Sequence, residues 1–168
     1  MRIDTLEECY VESLKDLYHA GHQMLRVLPR IAGAATSPEL CRRIKERVVD
    51  TRAQLDRLDI IFDGVKTDPL GKQCKAMAVM VEECDEIIRR GISGPARDAA
   101  LVSAAQRIEH YAMSGCESLL TCARRLEERE AASLLEISLR ELGLSREKLA
   151  ALSVSLVPQN PHLNAAMT

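Results

Sequence analysis

Tryptophan is absent from this chain, and three tyrosines and one phenylalanine are its only aromatic side chains. A core assembled without rings must be filled by Leu, Ile, Val, Ala and Met, a set that suits close helix–helix contacts better than strands. No apolar run approaches the roughly 20 residues that a bilayer span requires. The stretch from Met1 to Glu8 is charged rather than signal-like, so the expected location is the cytoplasm. Charge of one sign is lacking too: 23 basic side chains stand against 25 acidic ones, a net charge of −2. That balance gives no handle for a phosphate backbone or an anionic lipid surface, which argues against nucleic acid and membrane as partners. The six cysteines, Cys9, Cys41, Cys74, Cys84, Cys116 and Cys122, include no Cys-x-x-Cys pair, so there is no framework for zinc. Four of them fall on apolar stripes and read as reduced core residues.

What is present is helical periodicity over nearly all of the 168 residues, a length suited to one domain. Tyr10, Leu14, Leu17, Gly21, Met24, Leu28 and Ile31 recur at alternating spacings of four and three, predicting a first helix from about Ile3 to Ala35. Asp4-Thr5-Leu6-Glu7 offers its amino-terminal cap, and Thr36-Ser37-Pro38-Glu39 a break and a fresh start. The second seam runs through Ile44, Val48, Thr51, Leu55, Leu58 and Phe62, with Asp63-Gly64 as its expected stop. So short a connection makes the pair an antiparallel hairpin. A turn-rich linker over 65–72 precedes a short helix, Cys74 to Ile88, which ends by Gly91. After Ile92-Ser93-Gly94-Pro95 a long pattern carries Val102, Ala105, Glu109, Ala112, Cys116, Leu119, Ala123 and Leu126. The last seam is Leu135, Ser138, Leu142, Ser145, Leu149, Leu152 and Leu156. One domain is therefore expected over 1–157, with a Pro-containing tail over 158–168 that reads as an arm or as disordered. Two hairpins joined by a crossover of about 30 residues give an all-α, ferritin-like antiparallel four-helix bundle with an extra short helix in the crossover.

Particular residues carry a resemblance: Asp16-Leu17-Tyr18, Gln23-Met24-Leu25 and Leu28-Pro29; Asp50-Thr51, Gln54 and Arg57-Leu58-Asp59; and Ala99-Ala100-Leu101 with Gln106-Arg107-Ile108-Glu109-His110-Tyr111. Over roughly residues 4–155 the chain resembles the YciE/YciF-type ferritin-like stress proteins of bacteria. The resemblance implies a helical ferritin-like fold, usually dimeric, linked to general stress responses. It also implies a carboxylate-rich di-iron-type centre in some members, with no well-defined reaction.

Against that implied centre the chain departs at most positions. The family's glutamate on the first helix falls on Gly21, and its acidic and histidine positions on the second fall on Val49, Asp50 and Arg52. Glu109 and His110 remain, but the next glutamate position is Ala112. On the last helix the acidic run falls on Arg140, Glu141 and Leu142, with Arg146 at a further aspartate position. The seams independently place Gly21, Thr51, Ala112 and Leu142 in one mid-bundle layer, too apolar to hold two divalent cations, where close packing of Leu142 or Met24 is the leading expectation for the space beside Gly21 and Ala112 and a small cavity the alternative.

The candidate metal ligands that survive are Glu109, Asp50, Glu141, His22 and His110, with iron or manganese as the possible ion and no catalytic or other cofactor-binding residue assigned. Glu109 on a seam must be desolvated and needs a partner, for which His22, Thr51 and Tyr18 are candidates. His19-x-x-His22 has a spacing that can grip a transition metal but lacks a carboxylate nearby on its helix. The leading expectation is a degenerate di-metal site in a non-catalytic, dimeric binding or structural module. The alternative is a reduced iron- or manganese-binding oxidoreductase or metal-handling protein using Glu109, Asp50 and Glu141. A thiol sensor is a third reading, for which a lowered thiol pKa would be the sign. Val79, Ile87 and Leu101 are the apolar positions expected to cover a dimer interface.

Overall fold

The computed structural model describes residues 4–91 and 94–156, and five helices account for nearly all of them. In chain order they are α1 (Leu6–Ala34), α2 (Pro38–Val65), α3 (Lys75–Arg89), α4 (Pro95–Arg125) and α5 (Arg129–Leu156). The expected tail lies outside the described residues, as do Ile92 and Ser93 of the expected break. Among the described residues no helix is long and apolar enough to cross a membrane.

Local chemistry sets the helix ends. Thr5 and Glu8 form a reciprocal capping box at the start of α1, which satisfies two otherwise orphaned amides. Ser37 caps α2, with Pro38 in its first turn. The stop of α2 differs from expectation: the helix runs through Gly64 to Val65, and it is Lys66 that turns left-handed, at φ 52°. Its N–H bonds back to the carbonyls of Phe62 and Asp63, so a carbonyl-satisfying turn is made without glycine.

The four long helices pack in the cycle α1–α2–α5–α4, and α3 lies against α1 and α4. Polar contacts fix the directions. Thr36, at the far end of α1, meets Asp98 at the start of α4, and Asp16 meets Tyr111, so α1 and α4 are antiparallel. Arg57 reaches Glu141 while Glu46 lies near Lys148, so α2 and α5 are antiparallel as well. His19 at the start of α3 and Arg30 at Asp85 show α3 running parallel to α1. The crossover thus climbs the length of the α1/α4 face before α4 begins.

Asp98 is the hinge pin of this arrangement. Buried at the first turn of α4, its carboxylate accepts from the N–H and hydroxyl of Thr36 (2.8 and 2.6 Å) and from the N–H of Ser37 (2.6 Å). It thereby satisfies the opening amides of α2 from another helix.

The seams bury as expected, with Leu17, Val48, Val81, Ile88, Leu126, Ser145 and Leu156 only half-covered. Ile87 and Leu101, expected at a dimer surface, are instead core residues, whereas Val79 is exposed. The reason is the place of α3, which turns Met77, Cys84 and Ile87 onto α1 and α4.

Candidate functional site

At mid-bundle the expected layer assembles. Gly21, Thr51, Ala112 and Leu142 share the lining of a cavity of about 30 Å³ with Leu17 and Met24. This is room for about two water molecules, in a largely apolar surround. Gly21 has a separate cause: a Cβ there would lie 2.8 Å from Leu55 Cδ2, so α1 and α2 approach closely at this point.

Beside the layer lies the functional residue that the sequence conceals. Arg47 on α2 is buried, and its Nε donates to Glu109 Oε2 at 2.7 Å with both side chains 2% exposed. Glu109 is therefore desolvated as its seam position requires, but its partner is none of His22, Thr51 or Tyr18. Thr51 donates instead to the Arg47 carbonyl at 2.7 Å. His22 is exposed and stacks edge-on with Tyr18, ring centroids 4.6 Å apart, while Tyr18 also meets Phe62.

From Arg47 the polar chain continues. Its Nη2 donates to Gln54 Oε1 at 3.0 Å, and Gln54 Nε2 reaches Glu141 Oε2 at 3.4 Å. Arg57 grips Glu141 with both terminal nitrogens, at 2.8 and 2.6 Å, and also donates to Ser138. Burial opposes ionisation of Glu141, but the two-pronged Arg57 contact outweighs it and holds the carboxyl below its ordinary range. Glu109 Oε1 and Arg47 Nη1 have no hydrogen-bond partner among the described residues.

Asp50 lies on the outer side of this chain, in a pocket of about 170 Å³ between α2 and α5. The pocket balances Arg43, Arg47 and Lys148 against Glu46, Asp50 and Glu141. Burial pushes the Asp50 carboxyl above its ordinary value, against the pull of Arg47.

Three of the five candidate ligands thus lie along one polar chain, Glu109 on Arg47, Glu141 joined to it through Gln54 and Asp50 under the influence of Arg47, and the two histidines do not join them. His110 is exposed, its Nδ1 held at 2.8 Å by the Gln106 carbonyl. Among the described residues no group of three or more His, Cys, Asp or Glu side chains is placed to hold a metal ion. The donor set does not fit a di-metal centre: arginines occupy the lone pairs of two of its three carboxylates, and a fixed positive charge stands between them. Arg52 and Arg140 are exposed and play no part in this neutralisation; the cations that matter are Arg47 and Arg57.

His19 has a structural task. Its Nδ1 accepts from the Cys74 N–H at 3.0 Å, and Gln23 donates both to that nitrogen and to the Cys74 carbonyl, so α1 clamps the start of α3. Cys74 also contacts Tyr111, whose hydroxyl donates to Asp16. Burial pushes the thiols of Cys74, Cys84, Cys116 and Cys122 up, Cys84 to about 11 and Cys116 to about 12. Such thiols are poor nucleophiles by themselves.

Residues 5–161 match DUF892, a domain family of unknown function. The chain belongs to this family. The DUF892 chain is 32% identical to Protein YciF of Escherichia coli (strain K12), over 94% of its own length and 95% of that protein's. It superposes on the crystal structure of the stress protein YciF with a TM-score of 0.89, covering all of that chain at 31% identity. YcfI of Rhodopseudomonas palustris matches with a TM-score of 0.84 at 29% identity, over 88% of this chain and 94% of that one. A protein from Xanthomonas campestris, at 21% identity and a TM-score of 0.71, shares the fold over 90% of this chain and 92% of that one.

Proposed function

We propose that this DUF892 member is a ferritin-like four-helix bundle whose di-metal centre has been replaced by an internal ion-pair network. In this reading it works as a non-catalytic, dimeric binding or structural module in the cytoplasm. The two antiparallel hairpins and the helix-bearing crossover support the ferritin-like topology. The Arg47 guanidinium between Glu109 and the Gln54–Glu141 pair carries the functional half: the interior carboxylates already have their counter-charge. Purified protein incubated with ferrous iron or manganese, desalted and assayed by mass spectrometry for bound metal, is expected to retain far less than one ion per chain. Near-stoichiometric metal that is lost in Glu109→Ala would reverse the reading and favour a reduced metal centre built on Glu109, Asp50 and Glu141.

In this reading the dimer forms through the α2/α5 face, since α3 packs on α1 and α4. Val49, Ile60, Ile137, Leu144 and Val154 on these two helices are all exposed large apolar residues. The outer stripe of α2 is also self-complementary, with exposed Lys45 and Arg52 in its first half and Asp56 and Asp63 in its second. An antiparallel two-fold pairing of α2 sets Arg52 against Asp56 of the partner subunit and Lys45 against Asp63 of the partner subunit, with the apolar residues between. Arg52→Asp is expected to weaken the dimer by roughly tenfold or more in light scattering after gel filtration, and the added Asp56→Arg to restore it. Dimers insensitive to both changes would place the interface elsewhere.

A further inference from the structure

Two of the six cysteines have a relationship that the core seams do not explain. Cys9 lies in the second turn of α1 and is exposed, and Cys122 lies one turn before the end of α4 and is half-buried. Leu17 lies against Gly115, where an added Cβ would be 3.3 Å from Leu17 Cδ1, and this fixes the register of these antiparallel helices. Cys9 is eight residues before Leu17 and Cys122 seven residues after Gly115, about two turns along each helix. The two cysteines therefore lie at one level at the open end of the α1/α4 groove. Electrostatics agree: besides burial, the neighbouring Cys9 raises the Cys122 thiol, and Cys122 in turn acts on Tyr10, the residue next to Cys9.

The site is accessible. The crossover reaches down α1 as far as Glu12, which Lys72 meets at 3.2 Å, and Cys9 lies beyond that point. Asp4 to Cys9 are all exposed, so a small oxidant in solution reaches the Cys9 thiol. Cys74, Cys84 and Cys116 are buried and separate from the pair.

The geometry points to Cys9 and Cys122 as a reversible disulfide site that responds to a peroxide. Cys9 Sγ, as thiolate, attacks one oxygen of hydrogen peroxide, the O–O bond breaks, and a sulfenic acid forms with release of hydroxide. Cys122 Sγ gives up its proton and displaces the sulfenyl hydroxyl as water, closing the S–S bond. Two electrons pass from the two thiols to the peroxide, which leaves as two waters, and a dithiol reductant reverses the reaction. The closed bond staples the first turns of α1 to the last turn of α4 and encloses a loop of more than 100 residues, a length at which cross-linking restricts the unfolded chain strongly.

The test is oxidation of the folded full chain with a few equivalents of hydrogen peroxide, followed by blocking of free thiols, intact mass and peptide mapping. The expected result is the loss of two hydrogens, a Cys9–Cys122 linked peptide that dithiothreitol releases, and a melting temperature raised by roughly 5–15 °C. Cys9→Ser at an exposed position and Cys122→Ser at a half-buried one are expected to fold normally and to lose the linked peptide and the thermal shift. Cys9 ending as sulfinic acid, or in a disulfide between two chains while Cys122 stays reduced, would overturn the assignment. So would the same loss of two hydrogens in Cys9→Ser.

Discussion

Replacing Arg47 with methionine is expected to cost about 3–5 kcal/mol of folding stability, most of it from the charge of Glu109 left buried without a partner. Urea unfolding followed by circular dichroism would read the loss as a lower midpoint at unchanged slope. Methionine is close to the aliphatic stem of arginine in length and fills it flexibly, so the defect is chiefly electrostatic. The companion change Glu109→Leu, added to Arg47→Met, is expected to recover most of the loss, since a buried pair exchanged for apolar side chains is often neutral or stabilising. Recovery in the double variant ties the cost to the pair. A double variant as unstable as the single one would instead implicate the packing of α2, and a single variant within about 1 kcal/mol of the parent would show that water reaches Glu109 easily.

Asp98→Ala is the second large effect, at about 2–4 kcal/mol. Its carboxylate holds three donors at the α1–α2 turn, and alanine leaves two backbone amides at the amino terminus of α2 without their acceptor. Global unfolding would report the size, and hydrogen exchange its location, with faster exchange at the amides of Thr36 and Ser37. Asp98→Asn keeps an acceptor oxygen but gives up the negative charge that favours a helix amino terminus, and is expected to fall between the two. Equal losses in both variants would assign the effect to charge rather than to hydrogen-bond geometry.

Much of this architecture was legible beforehand because a helix seam is a local pattern. Tyr10 to Ile31, Ile44 to Phe62 and Val102 to Ala123 declare their inward faces within a few turns each. The layer of Gly21, Thr51, Ala112 and Leu142 followed from the same patterns, and so did the desolvation of Glu109. Arg47 did not, because it sits one position from the seam residue Val48, among Arg42, Arg43 and Lys45, in a run that looks solvated. Its burial depends on a glutamate 62 residues away, on a helix whose placement no local pattern fixes. Asp98 was hidden in a similar way: an acid in a first turn is ordinary dipole chemistry until another helix start is brought against it. Ile87 and Leu101 were misjudged because the face of α4 on which a short crossover helix lies is a matter of topology, not of period. The Cys9 and Cys122 pair had no signal in sequence spacing, only in the register that Leu17 and Gly115 set between two helices.

The Arg47–Glu109 contact joins α2 to α4, and these are opposite, not adjacent, corners of the cycle α1–α2–α5–α4. Four struts linked only along their sides form a rhombus that can lean without changing any side length, and apolar side contacts, being non-directional, tolerate that lean. A tie between opposite corners removes the freedom. The salt bridge therefore acts on the shape of the cross-section more than on its compactness: chains lacking both charges are expected to stay helical and compact while the bundle gains a soft shearing mode.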